Sequence, residues 1–185
     1  MIDTLVQADH GELRAHLLAG HPIDPAALDD TEYHGISLGL PGWVDRLTWK
    51  KFFKVFHRDG ATGLLRGWNA KAEQTPLDTP WVLARSGGEP QTYGHYEVVG
   101  APERCPVRLP QALTIHYGLG GNARFDATRL LRDPLVALSP GQADLLLGWS
   151  YLELAGRGIG TPSYFLLVRG GPLSHIVTPP RVTAG

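Results

Sequence analysis

An all-β fold, a barrel or sandwich with one amino-terminal helix, is predicted by three observations. The chain breaks into about eight to ten short runs of β-forming residues, with turn signals about every 8 to 15 residues and no alternating strand–helix pattern. Its 23 glycines and 15 prolines accompany a hydrophobic content of 43%, a combination that suits many turns between short strands better than a low-complexity linker. The stretch from Asp144 to Arg169 reads as two long strands. Leu145, Leu147, Trp149 and Tyr151 alternate there against Leu146, Gly148, Ser150 and Leu152, and the aromatic run Ser163–Val168 returns after a Gly-rich connection.

Taken in order, Thr4 to Ala19 is expected to be helical. Leu5, Leu13, Leu17 and Leu18 share one face, Asp3 can cap the start and Gly20 can end the last turn. A strand begins near Glu32 and runs through Leu38. Pro41 and the helical spacing of Trp43, Val44 and Leu47 predict a short helix. Lys51–His57 and Leu64–Glu73 flank the turn-rich Arg58–Gly63 and form a hairpin. Trp81–Leu83 and Tyr93–Val99 are further strands, whereas the prolines between Ala101 and Pro110 argue against one. Ala112–Tyr117 is a strand with Leu113, Ile115 and Tyr117 on one face and His116 on the other. Asp126 caps a helical turn or two, and Pro134–Leu138 leads through Ser139-Pro140-Gly141 into the final pair of strands.

At 185 residues the chain suits a single domain: a helical lead-in over 1–30, a β-barrel over 31–177 and a loose tail over 178–185. Charge is balanced, 17 Lys and Arg against 18 Asp and Glu, so no global field recruits nucleic acid. Lys50, Lys51 and Lys54 read as a solvated face. The one cysteine, Cys105, excludes an intrachain disulfide and a multi-cysteine metal site. No basic leader with an apolar run opens the chain and no apolar stretch reaches membrane-spanning length, so the expected setting is cytoplasmic, without integral membrane association.

Chemistry-bearing motifs are sparse. Gly118-Leu119-Gly120-Gly121-Asn122 lacks dinucleotide and P-loop spacing, and neither Ser150 nor Ser163 lies in a Gly-x-Ser-x-Gly elbow. His57, His95 and His116 fall on predicted strands but lack short ligand spacing, so neither metal nor cofactor is assigned. The aromatic residues suggest an apolar pocket with a few polar handles, as small-molecule sites are built. The candidate ligand-binding residues are Trp49, His57, Arg66, Trp68, His116, Trp149, Tyr151 and Tyr164, with Arg66 or His116 orienting a carboxylate or phosphate.

Three pieces resemble a bacterial family that joins a Gly-x-Trp-x-Gly segment to a lipocalin-like domain of unknown function. They are Thr31-Glu32-Tyr33-His34-Gly35, with tyrosine in the tryptophan place; ALTIHYG with FDATRLLRD; and ADLLLGWSY with SYFLLVRG. The resemblance implies a lipocalin-like antiparallel barrel or half-barrel with affinity for fatty acids or phospholipids. The leading expectation is a binding protein for a hydrophobic small molecule. The alternatives are a small barrel enzyme (isomerase, cyclase or hydrolase type) with a cavity histidine as general base, and a filled barrel acting as a partner-binding module.

Overall fold

A computed structural model describes residues 1–39 and 50–180. Its helices and short turns are α1 (Ile2–Gln7), α2 (His10–Ala19) and the single 3-10 turns Pro25–Leu28 and Ala127–Leu130. The strands are β1 (Thr31–Leu38), β2 (Lys51–Arg58), β3 (Leu65–Lys71), β4 (Arg85–Ser86), β5 (Glu89–Pro90), β6 (Thr92–Val99), β7 (Leu113–His116), β8 (Leu131–Ser139), β9 (Gln142–Leu154) and β10 (Arg157–Pro172). Eight of these strands close into an antiparallel barrel in the order β1-β10-β9-β8-β7-β6-β3-β2. Each barrel strand pairs with the next one along the chain and β10 returns to β1, which is the up-and-down meander of a lipocalin-like fold and leaves no open edge. Only β4 and β5 stand apart, as a two-stranded ribbon.

Several sequence expectations are refined. The single amino-terminal helix divides in two, because Asp9 builds a capping box with Glu12 and restarts the helix there. Gly20 ends α2 in an extended conformation, and its lack of a side chain lets the chain pass β8: a Cβ there would meet Val136 Cγ2 at 2.3 Å. Of Trp81–Leu83 only Leu83 joins a ladder, as a lone bridge to Ala72. Asp126 caps one 3-10 turn through Thr128 N–H. The β9–β10 turn falls at Ala155-Gly156, both at positive φ, ahead of the glycine-rich stretch. The short helix expected after Pro41 lies outside the described residues, as does Trp49.

Strand alternation sorts side chains into two apolar layers. Inside the barrel, Tyr33, Phe56, Leu65, Tyr96, Ile115, Leu135, Leu146 and Leu167 pack together, and Ile23 and Leu28 of the 21–30 segment close the lower end. Outside, Leu5, Leu13 and Leu17 of the two helices cover Ile36, Val136, Leu147, Trp149 and Leu166. Fully burying a Leu side chain is worth roughly 1.5–3 kcal/mol, so the helices protect a strand face that would otherwise be an exposed apolar patch. Among the described residues no helix is long and apolar enough to cross a membrane.

Two irregularities shape the upper half of the barrel. On β6, Tyr96 faces Gly67 and Tyr93 faces Asn69, so β6 carries one more residue than β3 between the two pairs. That bulge, with Gly94 at φ 53, turns Tyr93 inward beside Tyr96. Opposite, Gly148 on β9 makes room for the Phe165 ring; a Cβ at Gly148 would lie 2.1 Å from Phe165 Cζ.

Candidate functional site

At the upper end of the barrel the described residues line a cavity of about 220 Å³. Its walls are inward-facing residues of seven strands, including Phe52, Tyr93 and Phe165 as apolar surface and Ser37, Ser150 and Ser163 as small polar positions. In the lower half the interior is occupied by the buried apolar cluster that includes Tyr33, Phe56, Leu135, Leu146 and Leu167.

Lys54 forms the polar floor. It is 1% exposed, and its Nζ donates to Tyr117 Oη at 2.8 Å and to Asp133 Oδ2 at 3.3 Å. Tyr117 in turn donates to Asp133 Oδ2 at 2.9 Å, and Asn69 Nδ2 donates to Tyr117 Oη at 3.4 Å and to Gly94 O at 3.2 Å. Asp133 is 2% exposed, and its Oδ1 is buried without a hydrogen bond. Aromatic faces surround the ammonium: Phe165 at 4.7 Å, Tyr96 at 5.0 Å and Tyr117 at 5.3 Å from Nζ to ring centroid.

Burial pushes the Lys54 ammonium below its usual range, and the Asp133 charge opposes that shift. The same burial, with the negative Asp133 nearby, pushes the Tyr117 and Tyr93 phenols up, so both stay protonated donors. A buried ion pair is costly to desolvate and is often no more stabilising than apolar residues of the same volume.

The residues named from sequence fall mostly elsewhere. His57 faces outward, with Nδ1 2.5 Å from Asp30 Oδ1. Arg66 and Trp68 also face outward; Arg66 bonds Asp59 and Val177 O, and its guanidinium lies 5.6 Å from the Trp68 ring. His116 and Tyr151 meet on the outer surface in a pocket of about 390 Å³ with Arg104, Arg132 and Glu153. Two arginines flank the Glu153 carboxylate there, Arg104 Nη1 at 2.5 Å and Arg132 Nε at 3.1 Å. Trp149 packs outside against Tyr164 and donates Nε1–H to Thr161 O at 2.8 Å. Of the named residues that are described, Tyr164 alone, at the rim, also lines the mouth cavity.

Two expectations about charge and histidine are corrected. Lys51 and Lys54 are each 1% exposed and form no solvated face. Lys51 points outward, but the 75–79 loop folds over it and accepts its Nζ hydrogen bonds at Thr75, Pro76 and Thr79. His57, His95 and His116 occupy outward positions on three strands, so none serves the interior as a base, and among the described residues no three metal-ligating side chains gather.

Lys54, Tyr117 and Asp133 are site residues that sequence reasoning does not single out. The one signal available was Lys54 two places from Phe52 and two from Phe56, a cation in the middle of an apolar face. Fold and site together define a closed lipocalin-like barrel with a charged floor beneath a cavity at its upper end. No protein-family model and no curated protein sequence matches the chain.

Proposed function

We propose that the protein binds a small molecule in the barrel mouth, one with a compact apolar body and a single carbonyl or carboxylate group. The observation that carries this reading is the Lys54 ammonium, held by Asp133 and Tyr117 at the bottom of a cavity with aromatic walls. An acceptor oxygen reaching Nζ would gain a charge-assisted hydrogen bond, and the body of the ligand would bury apolar surface against Phe52, Tyr93 and Phe165. The cavity is smaller than the roughly 300–1,000 Å³ of drug-sized sites. That favours a single ring or a short chain over the long acyl chains of membrane lipids. The resemblance of three segments to a lipocalin-like family supports a ligand-carrying role in general.

Calorimetry with benzoate, cinnamate, octanoate, palmitate and phosphatidylglycerol vesicles tests the reading. Saturable, one-to-one binding of the first three is expected, with loss of binding in Ser150→Leu, which places a branched chain in the cavity. Absence of saturable heat with every member of the panel would overturn it. Binding confined to palmitate or vesicles would overturn the compact ligand class.

A further inference from the structure

Granting that the mouth cavity is the ligand site, we infer that Lys54 captures an aldehyde or ketone there covalently, as a reversible imine on Nζ. The geometry supplies the parts such a reaction needs. Lys54 lines the cavity, a carboxylate lies 3.3 Å from its Nζ to take its proton, and the cavity beside it has room for the water released. Asp133 Oδ1, buried and without a hydrogen bond, is free to bond the hydroxyl of a tetrahedral adduct. Desolvation lowers the cost of the neutral amine, which is the nucleophile.

The step balances without an outside reagent. Lys54 passes one proton to Asp133, leaving a neutral amine and a carboxylic acid. The Nζ lone pair attacks the carbonyl carbon while the C=O π pair moves to oxygen, and a second Nζ proton transfers to that oxygen to give the carbinolamine. Asp133 then returns its proton to the hydroxyl, the C–O bond breaks to release water, and the C=N bond forms. The product is an iminium ion whose positive charge stays opposite the Asp133 carboxylate and among the Phe165, Tyr96 and Tyr117 rings, so the charge balance of the floor is unchanged. No electrons are gained or lost.

The chain has four lysines, Lys50, Lys51, Lys54 and Lys71, which makes selectivity easy to read. Full-length wild-type protein is incubated with cinnamaldehyde and sodium cyanoborohydride at neutral pH, and the reduced adducts are located by peptide mass mapping. Lys54 is expected to be trapped at least about ten-fold faster than any other lysine, and excess cinnamate should suppress that adduct alone. Modification spread evenly over the lysines, or sparing of Lys54, overturns the imine. If Lys54 is spared while cinnamaldehyde still raises the melting temperature in a manner competed by cinnamate, the imine fails and the binding reading stands. If neither adduct nor thermal shift is seen, both fail.

Discussion

Lys54 on β2 and Asp133 on β8 lie four strands apart in either direction around the ring, and they close a 3.3 Å ion pair across the middle of the barrel. Lys54 is 1% and Asp133 2% exposed, and both line the floor of the cavity. The pair ties opposite walls together and, with Tyr117 and Asn69, separates the apolar lower interior from the cavity above it.

Removing one charge of that pair should cost far more than removing both. Asp133→Asn leaves a buried ammonium without its counter-ion and is expected to lower stability by about 3–5 kcal/mol. The double variant Lys54→Met/Asp133→Leu should recover most of that loss while losing ligand binding. Urea unfolding of the three proteins checks this; equal destabilisation by the single and double variants would show that the pair itself holds the barrel together.

Gly148→Ala should destabilise by about 1–3 kcal/mol, since the added methyl meets the Phe165 ring at 2.1 Å. Any relief comes from Phe165 swinging toward the cavity, so affinity for benzoate should fall in parallel. Chemical denaturation and calorimetry on the same sample read both effects.

Stability should decline in mild acid. Burial, aided by the Arg66 charge, pulls the His95 imidazole from 6.5 down to about 4. Between those values the unfolded chain binds the proton and the folded one does not, so stability present above pH 6.5 is lost as pH falls toward 4. Allowing for solvent screening, the loss from His95 is about 2 kcal/mol. Burial shifts His34 and His116 in the same direction, while the raised carboxyl of Glu97 works the opposite way. Unfolding free energies at pH 7, 5.5 and 4.5 should show a slope that flattens in His95→Gln.

Arg66→Ala and His116→Ala should leave ligand affinity within about a factor of two, because both side chains lie on the outer surface of the barrel. A ten-fold loss in either, measured by calorimetry with cinnamate, would move the binding site to the outside.

Much of the strand pattern was legible because its causes are local. The turn-rich Arg58–Gly63 announces the β2–β3 hairpin, and the alternation of Leu113, Ile115 and Tyr117 against Thr114 and His116 matches the inward and outward faces of β7. The candidate site was far less legible. Trp149 and Tyr151 have the composition of a pocket wall, yet they occupy the outward face of β9, in the apolar layer to which α1 and α2 contribute Leu5, Leu13 and Leu17. Tyr93 reaches the cavity only through the one-residue bulge at β6, a detail that alternation cannot register.

The sequence by itself determined a mainly β chain, its principal turns and an amino-terminal helical segment, since periodicity, glycine, proline and caps act over a few residues. Which face of each strand became the inside was decided by closure of the ring and by where the helices docked. That decision placed Lys54 and Asp133, 79 residues apart in the chain, within reach of one another and at the base of a cavity. Strand alternation divides residues into two faces but does not say which face is enclosed; only the tertiary structure, by covering one face with helices and curling the other inward, supplied the sign.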